Sequence, residues 1–126
     1  MQVEFHWDSL AEVIRAQING PANAQDYFDR FRQFLVDNPD LRTAPMLWDL
    51  RQLDFASFTP EEVTKLAELR RSLHEFRHDA KSAVLISSAL EYIPMMFLKQ
   101  TAEISDMPLE IFMEEREAMA WLRQSA

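Results

Sequence analysis

Hydrophobic and polar positions alternate from Gln2 to Trp7, with Val3, Phe5 and Trp7 on one side and Gln2, Glu4 and His6 on the other. A period of two predicts a half-buried strand. Asp8-Ser9 supplies a turn. From Glu12 to Ile18 the alternation resumes, with Ile14, Ala16 and Ile18 opposite Val13, Arg15 and Gln17. Two such segments joined by a short link predict an antiparallel hairpin. Asn19-Gly20-Pro21 is expected to stop the second strand, with Gly20 free to take a positive φ.

The period then changes. Ala24, Tyr27, Phe28, Phe31, Phe34 and Leu35 recur at helical spacing, and Asp26, Asp29, Arg30, Arg32 and Gln33 fill the other side. This predicts an amphipathic helix capped by Asn23 and stopped at Asn38-Pro39. Pro45 opens a short strand, Met46 to Leu50. Thr59, Pro60 and Glu62 form a capping box with proline at the first helical position. Val63, Leu66, Leu69, Leu73 and Phe76 make the inward stripe of the helix that follows. Ser82 to Ser87 carries an unbroken apolar run, which predicts a central strand covered on both faces. Ser88 and Glu91 form a second capping box, and Pro94 is expected to kink or restart the helix it opens, which runs to about Glu103. A strand from Pro108 to Met113 and a helix from Glu114 to Arg123, with Ala118, Trp121 and Leu122 inward, complete the chain.

The predicted fold is therefore α/β, in the order β-β-α-β-α-β-α-β-α. One domain over residues 1–126 would hold a mixed, mostly parallel five-stranded sheet with packed helices. Composition narrows the chemistry. Lys and Arg number 13 against 21 Asp and Glu, a net charge of −8, which argues against nucleic acid or an anionic membrane face as partner. With no cysteine, thiolate metal sites, disulfides and Cys nucleophiles are excluded. A single glycine leaves no room for phosphate-binding loops or dinucleotide fingerprints. No apolar run approaches the roughly 20 residues of a membrane span, and Met1 to Glu4 has no basic leader character. The expectation is a soluble, cytoplasmic domain.

Several stretches occur in a telling order. Leu47-Trp48-Asp49-Leu50-Arg51 ends the third strand, and a loop with aromatics leads into Thr59-Pro60-Glu61. Lys81-Ser82-Ala83-Val84-Leu85-Ile86 follows, and then Ile111-Phe112-Met113 ahead of Glu115-Arg116-Glu117-Ala118-Met119-Ala120-Trp121-Leu122. Together they resemble the SpoIIAA-like proteins of the STAS superfamily over nearly the whole chain. The resemblance implies a small α/β domain without catalysis or cofactor, acting through protein–protein contacts. Some relatives bind lipids or other small molecules. Anti-sigma-factor antagonists of this superfamily carry a phosphorylated serine in an Asp-Ser pair after the third strand. Here that loop reads Phe55-Ala56-Ser57-Phe58-Thr59-Pro60, the pair is absent, and the phosphorylation switch is not carried over.

Three constellations bear on function. His74-Glu75-Phe76-Arg77-His78 matches H-E-x-x-H, which on a helix can hold zinc with the glutamate activating water. This is the remote alternative of a small zinc-dependent hydrolase, with Glu91, Glu103 or His6 as third ligand. Against it, the segment is expected in the last turn of its helix, where Arg70, Arg71, His74, Arg77 and His78 together complement the macrodipole. Asp49, Arg51, Ser57 and Thr59 are expected at the C-terminal end of a parallel strand, where open α/β sheets bind ligands. The alternative for these four is an ion pair plus turn and cap chemistry. Ile93-Pro94-Met95-Met96-Phe97-Leu98 carries more apolar side chains than one helix stripe needs. Ile93, Met95, Met96, Phe97 and Leu98 are therefore the candidate interaction surface, open to a second copy, a protein partner or an apolar small molecule. Burial of both faces by the proline bend is the competing explanation. The expectation is a non-enzymatic, homodimeric interaction domain.

Overall fold

Strands β1 (Gln2–Asp8) and β2 (Val13–Pro21) pair antiparallel, from Gln2 opposite Asn19 to Asp8 opposite Val13. The structure, a computed structural model, describes residues 2–77, 79–104 and 107–124. Asp8 organises the hairpin turn: its carboxylate accepts from the backbone N–H groups of Leu10 and Ala11 at 3.1 and 3.0 Å. β2 does not stop at Asn19. Its register shifts between Gln17 and Asn19, and Gly20 and Pro21 still pair with Leu53 and Asp54 of the next strand. Gly20 takes φ +81° inside this irregular end, a left-handed value that a side chain would strain.

The remaining elements are α1 (Ala24–Asp37), β3 (Met46–Asp54), α2 (Pro60–Arg71), α3 (His74–Arg77), β4 (Ser82–Leu85), α4 (Tyr92–Ile104), β5 (Leu109–Phe112) and α5 (Glu115–Leu122). The chain is α/β. Its five strands form one mixed sheet in the order β1-β2-β3-β4-β5, antiparallel at β1–β2 and parallel elsewhere. Five α-helices pack on it among the described residues. Each crossover moves one strand in the same direction, so crossovers of one hand place their helices on one face. Residues of α1, α2 and α4 accordingly share a core with Ile14, Ala16, Ile18, Met46, Trp48, Leu50, Val84, Ile86, Leu109 and Ile111. α5 closes no crossover and takes the opposite face. There Ala118, Met119 and Leu122 pack on Val13, Leu47, Ala83 and Leu85.

Two boundaries differ from the sequence expectation. β3 runs to Asp54 rather than Leu50, because Asn19, Gly20 and Pro21 of β2 go on pairing with it after β4 has ended at Leu85, opposite Asp49. The α2 stretch breaks at Ser72, so His74–Arg77 is a separate one-turn helix and not the last turn of its predecessor. At Pro94 the helix restarts, the second of the two outcomes expected there. A 3₁₀ turn over Ala89–Glu91 leads into α4, and Pro94 lies in its first turn, where the missing N–H costs nothing. The all-buried β4 is interior as expected, but β3 is the middle strand. Among the described residues no helix is long and apolar enough to cross a membrane.

Candidate functional site

The entry to α4 is pinned by short polar contacts. Ser88 Oγ accepts from the backbone N–H of Leu90 at 3.2 Å, and the Glu91 carboxylate accepts from the Ser87 N–H at 2.9 Å and from its hydroxyl at 3.1 Å. Glu91 thus serves Ser87 and not the Ser88 N–H that a capping box would use. The 3₁₀ turn turns Leu90 outward, 82% exposed.

α4 then presents two faces. Met95 and Leu98 are fully buried in the main core, so these two members of the expected interaction surface are packing residues. Ile93 is 75% exposed and Phe97 51%. Met96 is half-buried against the core edge. The physical reason is the helical repeat: positions 93 and 97 fall on one side, and 95 and 98 on the other. Leu90, Tyr92, Ile93 and Phe97 are four of the seven exposed large hydrophobics among the described residues.

Beside Ile93 and Phe97 runs a groove of about 290 Å³, lined by Phe58, Pro60, Val63, Thr64, Ile93, Pro94 and Phe97. Its far wall is α2. Among the described residues no charged side chain lines it. Beneath it lies a smaller cavity of about 30 Å³ among Tyr27, Trp48, Leu50, Leu66, Met95 and Leu98, and Phe58 lines both spaces.

Ser57 and Thr59 hold Phe58 between them. Ser57 Oγ accepts from the Ala22 N–H at 2.7 Å and donates to the Asp54 carbonyl at 2.6 Å. Thr59 Oγ1 caps α2 by accepting from the Glu62 N–H at 3.3 Å. The Glu62 carboxylate reaches the Ala24 N–H at 2.7 Å, tying the start of α2 to the start of α1 instead of closing the capping box. Both hydroxyl residues therefore shape the loop that forms the groove's end.

Asp49 and Arg51 are not with them. They lie mid-strand, on the sheet face that α5 leaves uncovered, around a shallow polar cleft of about 350 Å³ with Glu4, His6, Arg15, Gln17 and Glu115. Arg51 grips Asp49 in a two-point pair at 2.9 and 2.8 Å. Hydrogen bonding from Arg51 holds the Asp49 carboxyl below its usual value, and the pairing raises Arg51 in turn. Arg15 bonds Asp8 at 2.9 Å and reaches Glu115 at 3.5 Å. Asp8 is also held low, chiefly by the Ala11 N–H and next by Arg15. The four strand-end candidates thus divide into a loop scaffold and a surface ion-pair network.

His78 and the side chain of His74 lie outside the described residues, so the H-E-x-x-H reading gains no geometry. Among the described residues no three His, Cys, Asp or Glu side chains gather as metal ligands. Arg70 and Arg77, expected to complement a helix dipole, are 7% and 4% exposed and belong to the interior. The α2 wall of the groove, Leu90 and the buried arginines are what sequence reasoning missed. The 93/97 against 95/98 spacing was the available signal only for the division of α4 into two faces. No family model matches the chain, and no curated protein matches it in sequence.

Proposed function

We propose that this chain is a non-catalytic, cytoplasmic SpoIIAA-like (STAS-like) interaction domain that docks the α2–α4 groove onto a second copy of itself. The observation that carries the reading is the run of exposed apolar side chains at Leu90, Tyr92, Ile93 and Phe97 beside an uncharged groove. Exposed apolar surface gathered in one place is what an interface removes from water. A copy related by a two-fold axis brings the same ridge to the same groove, so Ile93 and Leu90 of each chain meet apolar side chains of the other. Among the described residues the groove lining carries no charge, so two chains of net charge −8 meet there where like charges do not oppose. The strand order and the alternation of strands and helices support the resemblance to SpoIIAA-like proteins, whose members work by contact and not by reaction.

Light scattering tests this. The native chain is expected at twice its monomer mass, and Ile93→Glu at the monomer mass with unchanged far-UV circular dichroism. A folded Ile93→Glu that stays dimeric removes this surface. The second reading is an apolar, lipid-like small molecule lying in the groove. It is favoured by the groove's volume, near the lower end for ligand sites, and by the cavity beneath Phe58. Native mass spectrometry separates the two, since a carried molecule adds mass to each chain.

A further inference from the structure

β1 is one edge of the sheet, and it pairs with β2 from Gln2 to Asp8 without a register shift. An edge strand turns a row of N–H and C=O groups away from the sheet, where they can template a further strand. Proteins guard such edges by shortness, lysine, proline or a bulge. The other edge, β5, has four residues and is guarded by shortness. β1 has seven residues, none of them lysine or proline, and its ladder holds no bulge. Among the described residues no strand pairs with its outer side.

The two sides of β1 define what an added strand carries. On the α1 side Val3 is buried, and Phe5 and Trp7 are half-buried against the main core. The Phe5 ring stacks on Phe31 and Phe34 at 5.4 and 5.3 Å. Apolar side chains on that side of an added strand would cover what Phe5 and Trp7 still expose. Glu4 and His6 are exposed on the other face and line the polar cleft. The two guanidiniums of that cleft, Arg15 and Arg51, are engaged by Asp8, Asp49 and Glu115. Glu4 is thus the carboxylate that meets an added strand, and a cation opposite it is favourable. We propose that β1 takes up an extended segment of another protein by strand addition, a segment that alternates apolar with basic side chains and sets a lysine or arginine opposite Glu4. Main-chain hydrogen bonds supply the affinity and the alternating side chains the specificity. A second copy fits this edge less well. Antiparallel self-pairing centred on Phe5 sets only a histidine, His6, opposite Glu4 and joins two chains of net charge −8. The edge shares no residue with the α2–α4 groove, so the two surfaces are tested separately.

The probe is a capped peptide of alternating lysine and valine, matched in length to β1. Calorimetry reads its binding to the full chain, and amide hydrogen exchange locates it. Added protection is expected in β1, from Gln2 to Asp8. A peptide of the same composition with its lysines in one block has the same charge without the period of two, and should bind at least about 10-fold more weakly. Glu4→Lys, at an exposed position, should weaken the alternating lysine peptide roughly 10-fold and take up the matching glutamate–valine peptide better than the native chain does. An alternating peptide that binds no better than the blocked one, protection confined to elements other than β1, or a Glu4→Lys chain with native preference overturns the proposal. Protection of β1 that rises with protein concentration alone also overturns it and gives the edge to a second copy.

Discussion

The α2–α4 groove and the open sheet face around Arg51 are similar in size, about 290 and 350 Å³, and opposite in character. On the open face the charges answer one another within the chain: Arg51 with Asp49, and Arg15 with Asp8 and Glu115. In the groove, no charged side chain is found among the described residues that line it. A charge pair at a surface closes on itself in water and contributes little. An apolar surface improves its state only by leaving water. On the proposed reading, the region offered to a second copy is the one without charges, though the polar face looks richer in chemistry.

The comparison breaks most sharply within α4 itself. Leu98→Ala, on the enclosed side, should cost about 2–5 kcal/mol of stability in urea denaturation. Ile93→Ala, on the groove side, should stay within about 0.5 kcal/mol in the monomer. Near-equal costs would mean that the two sides of α4 are not distinct. Ile93→Glu should weaken self-association at least about 100-fold, equivalent to roughly 2.7 kcal/mol. That loss should be nearly independent of salt, because no ion pair is involved. Arg51→Met, on the polar face, should leave self-association unchanged and cost less than about 1 kcal/mol of stability, a surface pair being screened by solvent. A dimer lost in Arg51→Met would reverse the roles of the two faces.

The smallest effect expected is on pH dependence. The folded chain holds Asp49 below its usual 3.8 through Arg51. Its contribution is fully present above 3.8 and is lost as pH falls through the lower folded value. Arg51→Met should therefore flatten the acid limb of stability below about pH 4 and change nothing near neutrality. Chemical denaturation at several pH values checks this, and an unchanged acid limb would show that Arg51 does not set the Asp49 titration.

The strands and helices were legible wherever one period held without interruption. The hairpin alternation and the α1 stripe of Ala24, Tyr27, Phe31 and Leu35 are found where the periodicity puts them. Boundaries failed where pairing with a neighbour, and not local pattern, decided the length. Arg51-Gln52 reads as a strand end, yet β2 continues the ladder to Asp54. The site was half legible. The excess of apolar residues at 93–98 is visible in the sequence, and its helical repeat separates Ile93 and Phe97 from Met95 and Leu98. That Val63 and Thr64 would face them across a groove depends on α2 packing beside α4, a long-range fact with no local signal. Arg70 and Arg77 escaped because a basic residue near a helix end has a ready explanation in the dipole, and burial is decided by the neighbouring sheet.

Sedimentation equilibrium of the native chain and of Ile93→Glu, each at low and at high salt, tests the central claim most directly. A native dimer at both salt concentrations and a monomeric, folded variant are predicted. A native chain that is monomeric throughout, or a variant that associates as the native chain does, would contradict it.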